Sequence, residues 1–270
     1  MITIAEGQES FRTHHNYIRA LKHLMEGATL SHSNIDKIPN APLPLLDSKK
    51  NLIDLTAKSL NDEARIVRTD KDYSYASTSW LPVKTYYLLF NIMMTIEYLL
   101  TLDPASFKIG HGKCSESFTK RLAAGEIAFS EAKLNTVYDY TIFSYREAPG
   151  VNLRSASALD QLATFQHAKL TMRKIAQYKL EEWKRRKRIP NFKTNKHQRD
   201  KQTFLRAFKL SVFEFPYHMR LRANYRDFAF IEGVSSNETA EYFSDYFSFA
   251  REFCRAFRNL REQLIRARTN

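Results

Sequence analysis

The chain has 270 residues, 43% hydrophobic and 13% aromatic, which excludes a disordered polymer and suits one large domain or two small ones. Only 7 Gly and 8 Pro interrupt it, so long helices are favoured over many short strands. Its 42 Lys and Arg exceed 29 Asp and Glu, and the net charge of +13 points to a polyanionic partner without choosing among RNA, DNA and an acidic protein.

The pattern predicts a first helix over residues 6–25, then a proline-bearing linker over 27–47. Residues 1–47 are therefore read as an N-terminal helix and linker, and 48–270 as a helical bundle. Asp47 or Ser48 is placed to cap a second helix that reaches residue 67. A polar Tyr- and Ser-rich loop is expected over 68–79, and a third helix over 82–100, with Pro82 in its first turn. That third helix is apolar on nearly every side, but Lys84, Asn91 and Glu97 mark it as a buried core helix, not a membrane span. No membrane association is expected.

A Gly-containing loop and a short helix over 115–124 follow. Phe129, Val137, Tyr138, Tyr140, Ile142, Phe143 and Tyr145 are β-prone, so a small hairpin is expected around 126–150 within an inserted segment, 126–154. A long helix over 157–188 ends at Pro190, another spans 196–215, and Pro216 opens the next. The last helix begins with the capping box Ser235-x-x-Glu238. Its apolar positions Tyr242, Tyr246, Phe249, Phe253, Phe257, Leu260 and Leu264 keep helical spacing, while Arg251, Arg255 and Arg258 form a basic stripe elsewhere on the same helix. The fold class is mainly α, an antiparallel helical bundle.

No cationic region followed by an apolar one opens the chain, and Cys114 and Cys254 are distant in sequence. Free thiols in a reducing cytoplasm are expected.

The densest charge lies over residues 183–201, where nine Lys or Arg face one Asp. Lys184, Arg185, Arg186, Lys187, Arg188, Lys193, Lys196 and Arg199 are read as nucleic-acid contacts, with Trp183 and Phe192 available to stack on bases. The competing reading is a solvated helix end whose cations complement the helix dipole. The loop Gly110-His-Gly-Lys-Cys lacks the first Gly and the Ser or Thr of a Walker A motif, and reads as an ordinary turn or a simple anion site. Glu131-x-Lys133, with Asp54 upstream, has the form of a magnesium-dependent DNA nuclease core, which needs a central sheet. No metal-ligand spacing of the zinc type, no serine elbow and no cofactor motif are present, so no cofactor and no metal are expected.

Residues 216–231 form an amphipathic helix that sets Tyr217, Leu221, Tyr225 and Phe228 on one face. His218, Arg222 and Arg226 line one edge of it, and Arg220, Asn224 and Asp227 the other. Metal-independent RNA cleavage needs a cation for the phosphorane and groups to move protons. Arg222 and Arg226 suit the phosphate and His218 the proton, with Asn224 and Asp227 beside them as candidate site residues. The same charges are equally those of an interhelical ion-pair network.

Two segments resemble the HEPN superfamily of small helical bundles. Residues 79–100 contain Lys84-x-Tyr86-Tyr87-x-x-Phe90, similar to a HEPN helix, and residues 221–253 resemble the late HEPN helix pair. The resemblance implies a bundle that commonly dimerises around one metal-independent RNA-cleaving site, in proteins that act as toxins or effectors of bacterial defence against phage. The active family motif is an Arg followed by four to six residues and a His. Here Arg222 is followed at that spacing by Asp227, so the motif is degenerate and His218 stands on the other side of Arg222. Expected partners are nucleic acid, RNA first, and a second copy or another protein. The alternatives are a ribonuclease, a non-cleaving binding or assembly module, and the magnesium-dependent nuclease.

Overall fold

The computed structural model describes residues 4–146, 161–225 and 234–269. Among these it forms eight α-helices: α1 (Ile4–Met25), α2 (Leu46–Val67), α3 (Lys71–Thr101), α4 (His111–Ala123), α5 (Gln161–Arg186), α6 (Asn195–Ala207), α7 (Glu214–Tyr225) and α8 (Ser236–Thr269). The protein is mainly helical, as composition and periodicity imply. The small β element is an antiparallel pair of three-residue strands, β1 (Leu30–His32) and β2 (Ile127–Phe129). Only β2 comes from the segment where a hairpin is expected. Its partner is donated by the linker after α1, and the chain after β2 continues in short 3₁₀ turns.

The core is built on α8. All seven of its regularly spaced apolar positions are at most 3% exposed. Its start is a reciprocal capping box: the Ser235 amide donates to Glu238 Oε2 at 3.2 Å and the Glu238 amide to Ser235 Oγ at 3.3 Å. Phe253 and Phe257 stack at 4.5 Å, and Phe257 also meets Phe118 of α4 at 5.5 Å. Phe213, ahead of α7, stands 5.5 Å from Phe253 and 5.6 Å from Phe129 of β2. Each such aromatic pair adds about 1 kcal/mol to the burial of its rings. At the far end of α8, Arg268 donates to the carbonyls of Leu99 at 3.0 Å and Leu100 at 3.2 Å. A buried cation thus satisfies orphan acceptors at the negative pole of α3, and both helices finish at the same end of the bundle.

Two boundaries differ from the expectation. The residues read as a loop over 68–79 are mostly helix, because Asp70 caps α3 by accepting the Tyr73 amide at 2.8 Å. Pro82 therefore lies inside α3, not in its first turn. The backbone bond it removes is offset by tertiary contacts on both sides: Leu81 is fully buried, the Ser77 hydroxyl donates to buried Glu63 of α2, and Lys84 Nζ reaches the same carboxylate at 2.7 Å. Likewise, residues 196–215 are not one helix. After α6 the chain runs extended through the core, with Leu210 paired to Tyr138 and Phe208, Val212 and Phe213 buried, before α7 begins.

Polar groups of the apolar α3 are neutralised inside the bundle. Arg121 of α4 donates from Nε to Glu97 at 3.0 Å and from a terminal nitrogen at 2.7 Å, a bidentate pair. Among the described residues no helix is long and apolar enough to cross a membrane.

Helix α1 is fastened to α8 by two carboxylates, Glu241, which accepts from Arg19 at 2.9 Å, and the less exposed Asp245. Asp245 accepts from His15 Nε2 at 2.8 Å, Arg19 Nε at 3.0 Å and Lys22 Nζ at 2.8 Å. Burial opposes its ionisation, but the bonds to His15, Lys22 and Arg19 outweigh that cost and hold it well below the usual carboxylate range. A depressed carboxylate pKa stabilises the fold fully above the unfolded value of about 4 and loses that contribution as pH falls below it. Asp245→Ala is therefore expected to lower stability by about 3 kcal/mol at pH 7 in urea denaturation, with the gap to wild type closing below about pH 4.

Candidate nucleic-acid interface

The charged helix ends converge on one side of the bundle. A cleft of about 900 Å³ is bounded by the first turn of α4, the last two turns of α5, the end of α6 and Tyr217 of α7. Five cations line it, Lys113, Lys120, Lys179, Arg186 and Lys209, against the carboxylates Glu116 and Glu182. Lys120 is paired with Glu116 at 2.8 Å, Arg186 lies 3.8 Å from Glu182, and Lys179 is held by buried Glu214. Lys113 and Lys209 are exposed and have no ion-pair partner among the described residues. The cleft therefore keeps excess positive charge beside aromatic walls, Trp183, Phe204, Phe208 and Tyr217.

Behind His111 and Tyr217 of its wall lies an aromatic cluster with a buried cation. Arg220 of α7 is 8% exposed, and its Cζ lies 5.4 Å from the Tyr86 ring, 5.3 Å from Tyr87 and 5.8 Å from Tyr217. Its Nε has no hydrogen-bond partner. His111, the first residue of α4, joins the same cluster, with Nδ1 2.8 Å from the Tyr86 hydroxyl. Burial, followed by the Cys114 thiol, raises the Tyr86 phenol far above its ordinary value, so the phenol keeps its proton. Burial and then the Arg220 charge lower the His111 imidazole, so its neutral form is favoured. When the phenol donates to Nδ1, the neutral ring carries its proton on Nε2 and offers it outward.

Of the basic run expected to hold nucleic acid, Arg186 lines the cleft, while Arg199 lines a separate hollow beside Phe192. Arg185, Arg186, Lys187, Arg188, Lys193, Lys196 and Arg199 are exposed, and Lys184 is half-buried. The end of α5 is a Schellman motif: the Ile189 amide donates to the Lys184 carbonyl at 3.0 Å and the Arg188 amide to the Arg185 carbonyl at 3.0 Å. Arg188 takes φ 54° there, a conformation that usually belongs to glycine. Trp183 and Phe192 do not stand out as open stacking platforms. Trp183 packs on Phe204 at 4.8 Å and on Phe192 at 6.5 Å, and Lys184 and Lys201 lie over Phe192 at 5.6 and 5.0 Å. The aromatics instead hold α6 against the end of α5 and so shape the cleft.

The other expected site residues are placed more sparsely. His218 packs edge-on against Tyr178 of α5 at 4.9 Å, and its Nε2 is buried. Arg222 lies one turn later on α7, with Asn224 following, while Arg226 and Asp227 fall outside the described residues. Glu131 caps its own 3₁₀ turn by accepting the Lys133 amide at 3.2 Å, and Asp54 lies on α2. The sheet near Glu131 is only two three-residue strands, not the central sheet a carboxylate nuclease core requires. Among the described residues no three His, Cys, Asp or Glu converge as metal ligands. Burial pushes the Cys114 thiol up to about 12, an unfavourable setting for a nucleophile.

Lys113 is read only within the Gly110-His-Gly-Lys loop as a turn or simple anion site, and Lys120, Lys179 and Lys209 escape sequence reading because each stands alone on a different stretch of chain. Arg220 was readable only as one charged edge of a helix. The weak signal was the Tyr86-Tyr87 pair, whose rings meet it in space. Comparison of the chain with family models, curated proteins and solved structures returned no match.

The strained cap gives a clean contrast. Arg188→Gly is expected to raise stability by up to about 1 kcal/mol in urea denaturation, because it relieves the left-handed conformation. Arg186→Gly, in the last turn of α5, is expected to lose a similar amount.

Proposed function

We propose that this protein is an RNA-binding, HEPN-like bundle of a bacterial defence or toxin system, and that it holds RNA in the cleft between α4, α5 and α6. The observation that carries this reading is the convergence of five cations and four aromatic side chains on one cleft, with Arg186 of the exposed run 185–188 in its lining. Cations along a groove release counterions from a phosphate backbone, and the parts of Trp183, Phe204 and Tyr217 left exposed by their packing offer apolar contact to bases irrespective of sequence. RNA is preferred over duplex DNA because such apolar ring surface suits unstacked bases. The HEPN resemblance of residues 79–100 and 221–253 points the same way.

Binding is favoured over cleavage. His218 Nε2 is buried against α5, and Asp227 stands where the family carries histidine. A carboxylate ionised at neutral pH repels the scissile phosphate and is a poor proton donor.

The test uses labelled single-stranded RNA and DNA with the full chain, with and without EDTA. Affinity is expected to fall steeply with salt. Replacing Arg185, Arg186 and Lys187 by alanine is expected to reduce the slope of log K against log salt by about 2, three charges at about 0.7 each. No turnover is expected in either buffer. EDTA-resistant RNA cleavage abolished by His218→Ala or Arg222→Ala would overturn the non-cleaving assignment, and an unchanged slope in the triple variant would remove these residues from the interface.

A further inference from the structure

The least ordinary group in the protein is the Arg220 guanidinium. Removing a cation from water costs several kcal/mol, and folded chains usually offset that with a carboxylate. No described carboxylate pairs with Arg220. It has three tyrosine rings around it, a buried Nε without an acceptor, and 8% exposure. Cation–π contacts offset part of the cost and leave its donors available to an anion.

A second set of donors meets it. The His111 ring is 5.3 Å from Tyr86, 5.8 Å from Tyr87 and 6.2 Å from Tyr217, the same three rings that surround Arg220. His111 also opens the 13-residue helix α4, whose N-cap is Gly110, with no side chain to satisfy the first-turn amides. Helix start and imidazole line one corner of the cleft beside exposed Lys113, and the guanidinium lies behind that corner, against the Tyr217 ring that it shares with His111. The carboxylates lining the cleft, Glu116 and Glu182, are engaged by Lys120 and Arg186.

We infer that this corner is a pocket for a terminal phosphoryl group, with Arg220 and His111 as its side-chain donors and the first amides of α4 completing it. Three oxygens of a phosphate monoester match three kinds of donor, and a helix N-terminus favours the dianion. The inference rests on the nucleic-acid reading for the cleft's main occupant and adds the group that fixes its end. Inorganic phosphate and the 5′-phosphate of an oligoribonucleotide share this chemistry.

The experiment titrates the full chain, labelled with ¹⁵N-histidine, with inorganic phosphate at constant ionic strength, the His111 signal being assigned by its loss in His111→Ala. The His111 ring signals are expected to shift with saturation, and the response to vanish in Arg220→Gln. Binding of one oligoribonucleotide with a 5′-phosphate or a 5′-hydroxyl is then compared. Wild type is expected to prefer the phosphate about tenfold, the effect of one charge-assisted hydrogen bond, and His111→Ala and Arg220→Gln to lose the preference. Should Arg220→Gln fail to fold, the wild type and His111→Ala carry the test. A His111 signal that ignores phosphate, or a 5′ preference that survives both substitutions, overturns the pocket. Phosphate binding without RNA binding keeps the pocket, assigns it to free phosphate and rejects the RNA reading. RNA binding without 5′ discrimination or a phosphate response does the reverse.

Discussion

Helices α1, α2 and α3 pack on α8, and α5 joins the bundle through α1 and α7. The buried rings of α8 pack along the core, Phe257 receives Phe118 of α4, and Phe253 lies against Phe213 ahead of α7. Asp245 on the same helix anchors α1, and Arg268 at its end caps α3. A one-residue slip of α8 would move its stripe by about 100° and break all of these at once. The helix is therefore specified in register by packing and by charge together, which is how a single long helix orders elements that are distant in sequence.

That anchoring also decides where charge accumulates. Buried ion pairs neutralise the polar groups of the core: Glu63 with Lys84, Glu97 with Arg121, Glu214 with Lys179. Most of the carboxylates placed in the interior are thereby matched, and the excess of cations is left for helix ends. The start of α4 and the ends of α5 and α6 meet around one cleft, where Lys113 and Lys209 add unpaired positive charge. Arg220 is the exception that the core does not neutralise, and it packs against Tyr217 of the cleft wall.

How much was legible follows from whether a signal was local. The stripe and capping box of α8 are written in one continuous segment, and the structure reproduces both. The helical nature of residues 71–81 was hidden, because its support from Glu63 lies on α2, and the local cap at Asp70 was outweighed by the Tyr- and Ser-rich composition around it. The break after α6 depends on pairing of Leu210 with Tyr138, a contact across 72 residues by their numbers that no window of sequence reports. The basic run 184–199 was evident as composition. The cleft was not, since Lys113, Lys179 and Lys209 come together only through the fold. His111 and Arg220 are 109 positions apart by number and meet through three tyrosines.

A second groove, between α2 and α8, is also rich in cations, including Arg65, Arg68, Arg251 and Arg258, but it carries Asp54 and Asp62 and has Phe247 alone where the first has four aromatic side chains. The two surfaces are separated most directly by photo-crosslinking the full chain to single-stranded RNA containing 4-thiouridine and mapping the modified peptides by mass spectrometry. The account predicts crosslinks in the start of α4, the end of α5 and α6, with Trp183, Phe204 and Tyr217 among the modified residues. Crosslinks confined to α2 and α8, or none above a bovine albumin control, would contradict it.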